Sequence, residues 1–160
     1  MKELIFMRHG KSSWEYPVED RDRPLGVRGI HDAKKVARKY DVKAFPEAIY
    51  SSPANRALHT CTLFVKTLNL DFKDLKIIPE LYDFEGERVM YFIKHLNQDL
   101  NRVMLFGHNH AFTALVNALS GNEIGHVPTA GLVHLEFEAM DWKHLAMGNV
   151  KQLLFPKNID

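Results

Sequence analysis

The sequence predicts an α/β domain: a three-layer sandwich with a mostly parallel central sheet and helices on both faces. Three observations predict it. Short apolar runs alternate with segments of helical periodicity through most of the chain, the pattern of strands joined by crossover helices. The last two apolar runs lie close together with no helical segment between them, so one edge of the sheet is expected to be antiparallel. The chain has 160 residues, which suits one domain over 1–160 and is short for two.

Leu4–Met7 is a short apolar run and reads as a buried strand. Residues 11–25 are polar, contain Pro17 and Pro24, and read as a loop. From Gly26 to Tyr40, Val27, Ile30, Ala33, Val36 and Ala37 recur at helical spacing. Ala48–Tyr50 is a second strand. Ser52 then reads as an N-cap with Pro53 at the first helical position, opening a helix to about Leu68. Lys76–Ile78 is a brief strand. Residues 86–99 predict an amphipathic helix with Val89, Phe92, Ile93 and Leu96 on one face. Val103–Phe106 is a further apolar strand, and Ala111–Leu119 a helix stopped by Gly121. Leu132–Phe137 and Val150–Phe155 are the closing strands. Trp142–Leu145 between them reads as a turn or short strand.

Composition narrows the function classes. Lys+Arg is 21 and Asp+Glu is 20, a net charge of +1, without the basic excess of a nucleic-acid-binding protein. The single cysteine, Cys61, excludes an internal disulfide and CxxC-type zinc sites. No apolar run approaches the roughly 18 residues of a membrane span. The N-terminal apolar run meets Arg8-His9 too early for a secretory signal, whose core needs about 7–15 apolar residues. A cytoplasmic protein is expected.

Candidate chemistry gathers where strands end. In open α/β sheets ligands bind beyond the C-terminal ends of the strands. Two predicted strands end there in Arg8-His9-Gly10 and Gly107-His108-Asn109-His110, and Arg56 lies in the first turn of the helix after the second strand. An arginine is costly to bury without an anion, and one at a helix N-terminus opposes the macrodipole unless it shares an anion with it. Gly10 lets backbone approach a ligand closely. Two arginines and two histidines at strand ends fit one phosphoryl group. Arginine offers forked donors to its oxygens. One histidine, unprotonated on the attacking nitrogen, serves as nucleophile, and the other as a donor to the equatorial oxygens.

With Arg8-His9-Gly10, Ser52-Pro53-x-x-Arg56-Ala57-x-x-Thr60 and Gly107-His108-Asn109 in this order, the sequence resembles the histidine phosphatase superfamily, the phosphoglycerate mutase-like proteins. The likeness runs from residue 3 to about residue 137. Within that superfamily it is similar to the small SixA-type phosphohistidine phosphatases. The chain is short, leaving no room for a helical lid insertion. Lys11-Ser12-Ser13-Trp14 follows the first motif, and Arg23-Pro24-Leu25-x-x-x-Gly29 opens the first helix. Leu81-Tyr82 follows Pro79-Glu80, and Pro128-Thr129 precedes a late strand.

The resemblance implies roles. His9 matches the nucleophile that becomes phosphorylated; Arg8, Arg56 and His108 match the rest of the phosphate pocket. Gly10, Ser12, Ser13 and Asn109 lie beside these residues and are carried as substrate-binding positions. Larger relatives carry a general acid after the third strand, which alignment places at Asp83, with Glu80 and Glu85 as competitors. No cofactor and no metal are implied.

Chemistry favours phosphohistidine over an alkyl ester. An alkoxide leaving group is about as basic as hydroxide, whose water has a pKa of about 15.7, whereas the conjugate acid of imidazole has a pKa of about 6.5. A phosphohistidine therefore needs much less help from a general acid. The expected function is a metal-independent phosphatase working through a phosphohistidine on His9. The expected partner is a phosphorylated protein such as a histidine-phosphotransfer domain. The alternatives are a small-molecule phosphomonoesterase and a non-catalytic phosphohistidine-binding module.

Other residues carry blander readings. His110 beside His108 is no metal pair by itself. His31, His59, His95, His126, His134 and His144 read as surface or packed, with His59 the one candidate for the pocket rim. Cys61 reads as a core thiol. Trp14 reads as pocket mouth or loop packing, and the charged run Glu19–Arg23 as a solvated loop.

Overall fold

A computed structural model describes all residues, 1–160. It contains strands β1 (Lys2–Arg8), β2 (Ala48–Ser51), β3 (Leu75–Ile77), β4 (Arg102–Gly107), β5 (Leu132–Phe137) and β6 (Asn149–Leu154). The main helices are α1 (Val27–Lys39), α2 (Asn55–Thr67), α3 (Glu87–Lys94) and α4 (Ala111–Leu119). The strands form one sheet in the order β3-β2-β4-β1-β5-β6. β1, β2, β3 and β4 pair in parallel, while β5 pairs antiparallel with β1 and β6 antiparallel with β5. The expected α/β sandwich with one antiparallel edge is the observed fold.

Side chains alternate across a strand, and β1 divides its apolar residues accordingly. Leu4 and Phe6 join Val103, Leu105, Val133 and Leu135 in a core under α3 and α4. Ile5 and Met7 join Met104, Phe106, Ile49 and Leu132 in a second core under α1 and α2. Every residue from Leu4 to Met7 is fully buried. Burial on both faces explains why these strands read as continuous apolar runs rather than alternating ones.

Register carries the fold to the site. β1 and β4 pair with Arg8 opposite Gly107, so His9 and His108 leave the sheet side by side. The loop that follows β1, residues 9–26, carries only a short 3-10 turn at Asp20–Asp22. No helical insertion covers this edge, and no helix is long and apolar enough to cross a membrane.

Two helices differ from their sequence reading. α2 starts at Asn55 with Ala54 at its N-cap, and no side-chain oxygen caps it. Ser52 lies outside the helix; its Oγ accepts from Ala54 N at 3.2 Å and pairs with His108. α3 stops at Lys94 rather than running to 99. The carbonyls beyond it have other donors. Lys2 Nζ donates to the Gln98 and Leu100 carbonyls, both at 2.7 Å, and Trp142 Nε1 donates to those of Asn97 and Leu100. Tertiary hydrogen bonds thus replace the last helical turn. Trp142 lies in a turn and is fully buried.

Candidate active site

His9 is set by its own backbone. Its Nδ1 lies 2.7 Å from the Gly10 carbonyl oxygen. A carbonyl only accepts, so the ring proton is assigned to Nδ1 and the Nε2 lone pair is free. Gly10 N donates to Thr60 Oγ1 at 3.0 Å, and that hydroxyl donates to the Arg56 carbonyl at 2.7 Å. This chain ties the first motif to the second. Burial, followed by Arg56, Arg8 and Arg23, outweighs the Gly10 hydrogen bond and pushes the His9 pKa down to about 3. His9 is a neutral base at ordinary pH.

His108 stands beside it, ring centroids 5.3 Å apart. Its Nε2 lies 2.8 Å from Ser52 Oγ. The hydroxyl already accepts from Ala54 N, so its hydrogen is assigned toward Nε2, which leaves the His108 proton on Nδ1. Burial, the neighbouring His9 and Arg56 push its pKa down to about 2.

Three arginines complete the cleft. Arg56, 2% exposed, donates from Nη1 to the Asp20 carbonyl at 2.6 Å and from Nη2 to Asp20 Oδ2 at 3.0 Å. Arg23 donates to Ser12 Oγ at 2.7 Å and to Asp20 Oδ1 at 3.0 Å, with its guanidinium 3.7 Å from the Trp14 ring centroid. Arg8 donates to the Val127 carbonyl at 3.0 Å. Burial and Arg56 lower the Arg8 pKa.

The buried side-chain nitrogens and oxygens that lack a hydrogen-bond partner are four: Nε of Arg8, Nε of Arg23, Nε of Arg56 and Nδ1 of His108. With the tautomer above, all four are donors. Leaving a buried donor unpaired costs about 1–3 kcal/mol; the three arginines stand on the cleft wall and His108 packs against His9, a donor set suited to an oxyanion. The cleft is about 290 Å³ and open to solvent, with His9, Lys11 and Phe84 also on its walls.

The structure brings Arg8, His9, Arg56, Ser12 and Asn109 to this cleft, with His108 packed against His9. Gly10 supplies the backbone described above. Asn109 Nδ2 donates to the Val127 carbonyl and its Oδ1 accepts from Thr113 N, which fixes the turn into α4. Ser13 does not join them. Its hydroxyl accepts from Glu15 N in a local turn, and it is absent from the cleft wall.

Asp83, expected as general acid, is not among the residues on the cleft wall. Its Oδ2 accepts from the backbone N–H groups of Gly86, Arg88 and Val89, and its Oδ1 from Glu85 N, at 3.0–3.2 Å. Its side chain closes the N-terminal turn of α3 and satisfies backbone donors that the helix itself leaves unpaired. Glu80 and Glu85 lie outside the cleft wall as well.

Asp20 and Arg23, in the run Glu19–Arg23 that reads as solvated, line the cleft, and Tyr82, which carries no functional signal in the sequence, bonds to Asp20. Tyr82 Oη donates to Asp20 Oδ2 at 2.6 Å. Burial opposes ionisation of Asp20, but the bonds from Tyr82, Arg56 and Arg23 prevail and hold its pKa down at about 2. The available signal was Arg23-Pro24-Leu25, quoted for the resemblance and given no role. No three His, Cys, Asp or Glu side chains converge to hold a metal ion. His110 and His126 are 6.4 Å apart by ring centroids.

A histidine pair and three arginines gather at the C-terminal edge of the parallel part of an α/β sheet. Residues 4–86 match the family model of the histidine phosphatase superfamily, branch 1, and the chain belongs to that superfamily. Over 133 residues it is 30% identical to an uncharacterized chloroplastic protein of Arabidopsis thaliana, covering 77% of this chain and 61% of that one. The chain thus spans less than two thirds of that relative's length. The SixA protein of Agrobacterium tumefaciens superposes with a TM-score of 0.80 at 26% identity, covering 96% of this chain and 97% of that one. A protein histidine phosphatase SixA solved with tungstate gives a TM-score of 0.77 at 23% identity, covering 98% of each chain.

Proposed function

We propose that the chain hydrolyses phosphohistidine on a protein partner, such as a histidine-phosphotransfer domain, through a phosphorylated His9. One observation carries the choice of substrate: Asp20, the one carboxylate on the cleft wall, is held as an anion, and the oxygens of Asp83 are taken up by backbone donors. Asp83 is bound to four backbone N–H groups, and Asp20 to two arginines and Tyr82. Asp20, its pKa held down at about 2, is no acid for an alkoxide at neutral pH, and Asp83 offers no oxygen to the cleft. A phosphoimidazole leaves as an amine of pKa about 6.5 and needs little protonation. The structure solved with tungstate is of a protein histidine phosphatase, and tungstate is an oxyanion, which agrees with this reading.

In the first step His9 Nε2 attacks phosphorus in line. A bond forms from Nε2 to phosphorus as the bond to the substrate imidazole breaks, and its electron pair stays on that ring, which takes a proton from solvent. Arg8, Arg56 and His108 Nδ1–H hold the equatorial oxygens as charge spreads over them. Water then attacks the phosphoenzyme, returning neutral His9 and inorganic phosphate.

The test follows loss of phosphate from a phosphorylated histidine-phosphotransfer protein, in EDTA, beside p-nitrophenyl phosphate, with wild type and His9→Ala. Fast His9-dependent loss with slow ester turnover is expected. Rapid ester turnover without phosphohistidine turnover would move the function to small phosphate esters. Binding of phosphohistidine without turnover would make the chain a binding module.

A further inference from the structure

A second cleft, of about 370 Å³, lies against the first and shares Arg8, Lys11 and Thr129 with it. Its remaining charged residues are Arg28, Asp32 and Lys157. Four cations therefore face one carboxylate, a local excess of three charges in a chain whose net charge is +1. They come from four places: the end of β1, the loop after it, the outer face of α1 and the turn after β6. Asp32 meets Arg28 alone, at 3.6 Å, and neither Lys11 nor Lys157 has a carboxylate within 4.0 Å. The proposed chemistry at His9 needs none of Arg28, Asp32 or Lys157. Unneutralised positive charge in a concave site attracts anions and focuses their approach.

We propose that this cleft is a recognition subsite for acidic side chains flanking the phosphohistidine of a protein substrate; it rests on the function proposed above. A phosphoimidazole side chain occupies only the first cleft. A small bis-anion would be largely enclosed by its site, yet Lys11 and Lys157 are exposed and the Arg28 side chain is 70% exposed. Two open clefts joined along one surface suit an extended polypeptide. The phosphoryl group sits in one, and a neighbouring Glu or Asp reaches the cations of the other. Arg8, on both walls, couples the two.

The test compares two synthetic phosphohistidine peptides, one flanked by glutamates and one by alanines, with wild type and with Arg28→Ala/Lys157→Ala. Both positions are exposed, and an unchanged melting temperature confirms folding. In wild type the glutamate peptide is expected to show a KM about fivefold lower at similar kcat, as exposed ion pairs allow. The gap should shrink in 0.5 M salt, by screening (Debye length below about 8 Å). The double variant should lose the preference while turning over the alanine peptide as before. Equal KM values in wild type, or a preference that survives in the double variant, would overturn the subsite while leaving the proposed function standing. An unphosphorylated glutamate peptide, used as inhibitor of p-nitrophenyl phosphate hydrolysis, reads the cleft separately. Inhibition that weakens in the double variant is expected, and equal inhibition overturns the subsite. Failure of wild type on both phosphopeptides would overturn the proposed function and this subsite with it.

Discussion

Asp20 occupies both arms of the Arg56 fork: its carbonyl oxygen is 2.6 Å from Nη1 and its Oδ2 is 3.0 Å from Nη2. One loop residue thus orients the guanidinium and supplies its counter-charge, leaving only Nε unpaired. A bound phosphoryl group must share Arg56 with that carboxylate. Two unit charges about 4 Å apart repel by about 4 kcal/mol at an effective dielectric near 20, and the shared guanidinium offsets part of this. Asp20→Asn keeps an acceptor for the fork and removes the charge. It should tighten vanadate inhibition about tenfold. Unchanged or weaker inhibition would show that Asp20 acts only by positioning Arg56.

His9 should be indispensable to the phosphoenzyme. Its Nε2 carries the free lone pair, and Arg8, Arg23 and Arg56 line the same cleft. His9→Ala should lower kcat at least about 10⁴-fold, as loss of a nucleophile does elsewhere. It should also abolish label on the protein after an alkaline quench, in which phosphohistidine survives. A labelled His9→Ala protein would move the nucleophile to another residue.

Acid should weaken the empty protein through the same two histidines. Both have pKa values pushed well below 6.5 in the folded state, His9 to about 3 and His108 to about 2. Below pH 6.5 the unfolded chain takes up protons that the folded chain refuses, so stability is present above that pH and falls as pH drops toward 3. The slope is about 1.4 kcal/mol per pH unit for each histidine. Urea unfolding between pH 7 and 5 should show it, and His108→Gln should roughly halve the slope. A profile that stays level in wild type would mean that the rings protonate freely in the fold.

The strand ends were legible in the sequence because local features encode them. An apolar run that stops at Arg8-His9-Gly10, and another at Gly107-His108, place two histidines at the same edge of any parallel sheet, and the pairing of Arg8 with Gly107 sets them side by side. The Asp20–Arg56 pair spans 36 residues, and nothing local separates a charged run that folds into a cleft from one that stays in water. Asp83 shows the opposite situation. Alignment placed a carboxylate near the right point in the chain, but the nearest strong partners were the backbone donors opening α3. Ser52 read as a helix cap because serine before proline favours one; His108, distant in sequence, drew its hydroxyl instead.

Asp83 should accordingly behave as a structural residue. Asp83→Asn keeps one acceptor and turns an amide donor toward the N–H groups at the start of α3. Loss of such an N-terminal partner costs about 0.5–2 kcal/mol, which denaturant unfolding would read. Turnover of phosphohistidine should change less than about threefold. A hundredfold loss on ester substrates at unchanged stability would return Asp83 to the role of general acid.

Close backbone packing behind His9 should be as sensitive as the chemistry. A Cβ on Gly29 would lie 2.1 Å from the Lys11 carbonyl oxygen, and one on Gly10 would lie 2.6 Å from that of Gly29. Both obstacles are backbone, so neither can swing aside as a flexible side chain would. The turn after β1 is therefore pressed directly on the first turn of α1. That contact holds the Gly10 carbonyl where His9 Nδ1 meets it. Gly29→Ala should cost about 1–3 kcal/mol, as overpacking does. It should also lower kcat more than it raises KM, because the ring loses its fixed tautomer and aim while Arg8 and Arg56 still bind phosphate. The measurements are urea unfolding and steady-state kinetics on the same sample. A stable Gly29→Ala protein with wild-type kcat would show that this packing neither sets His9 nor supports the fold.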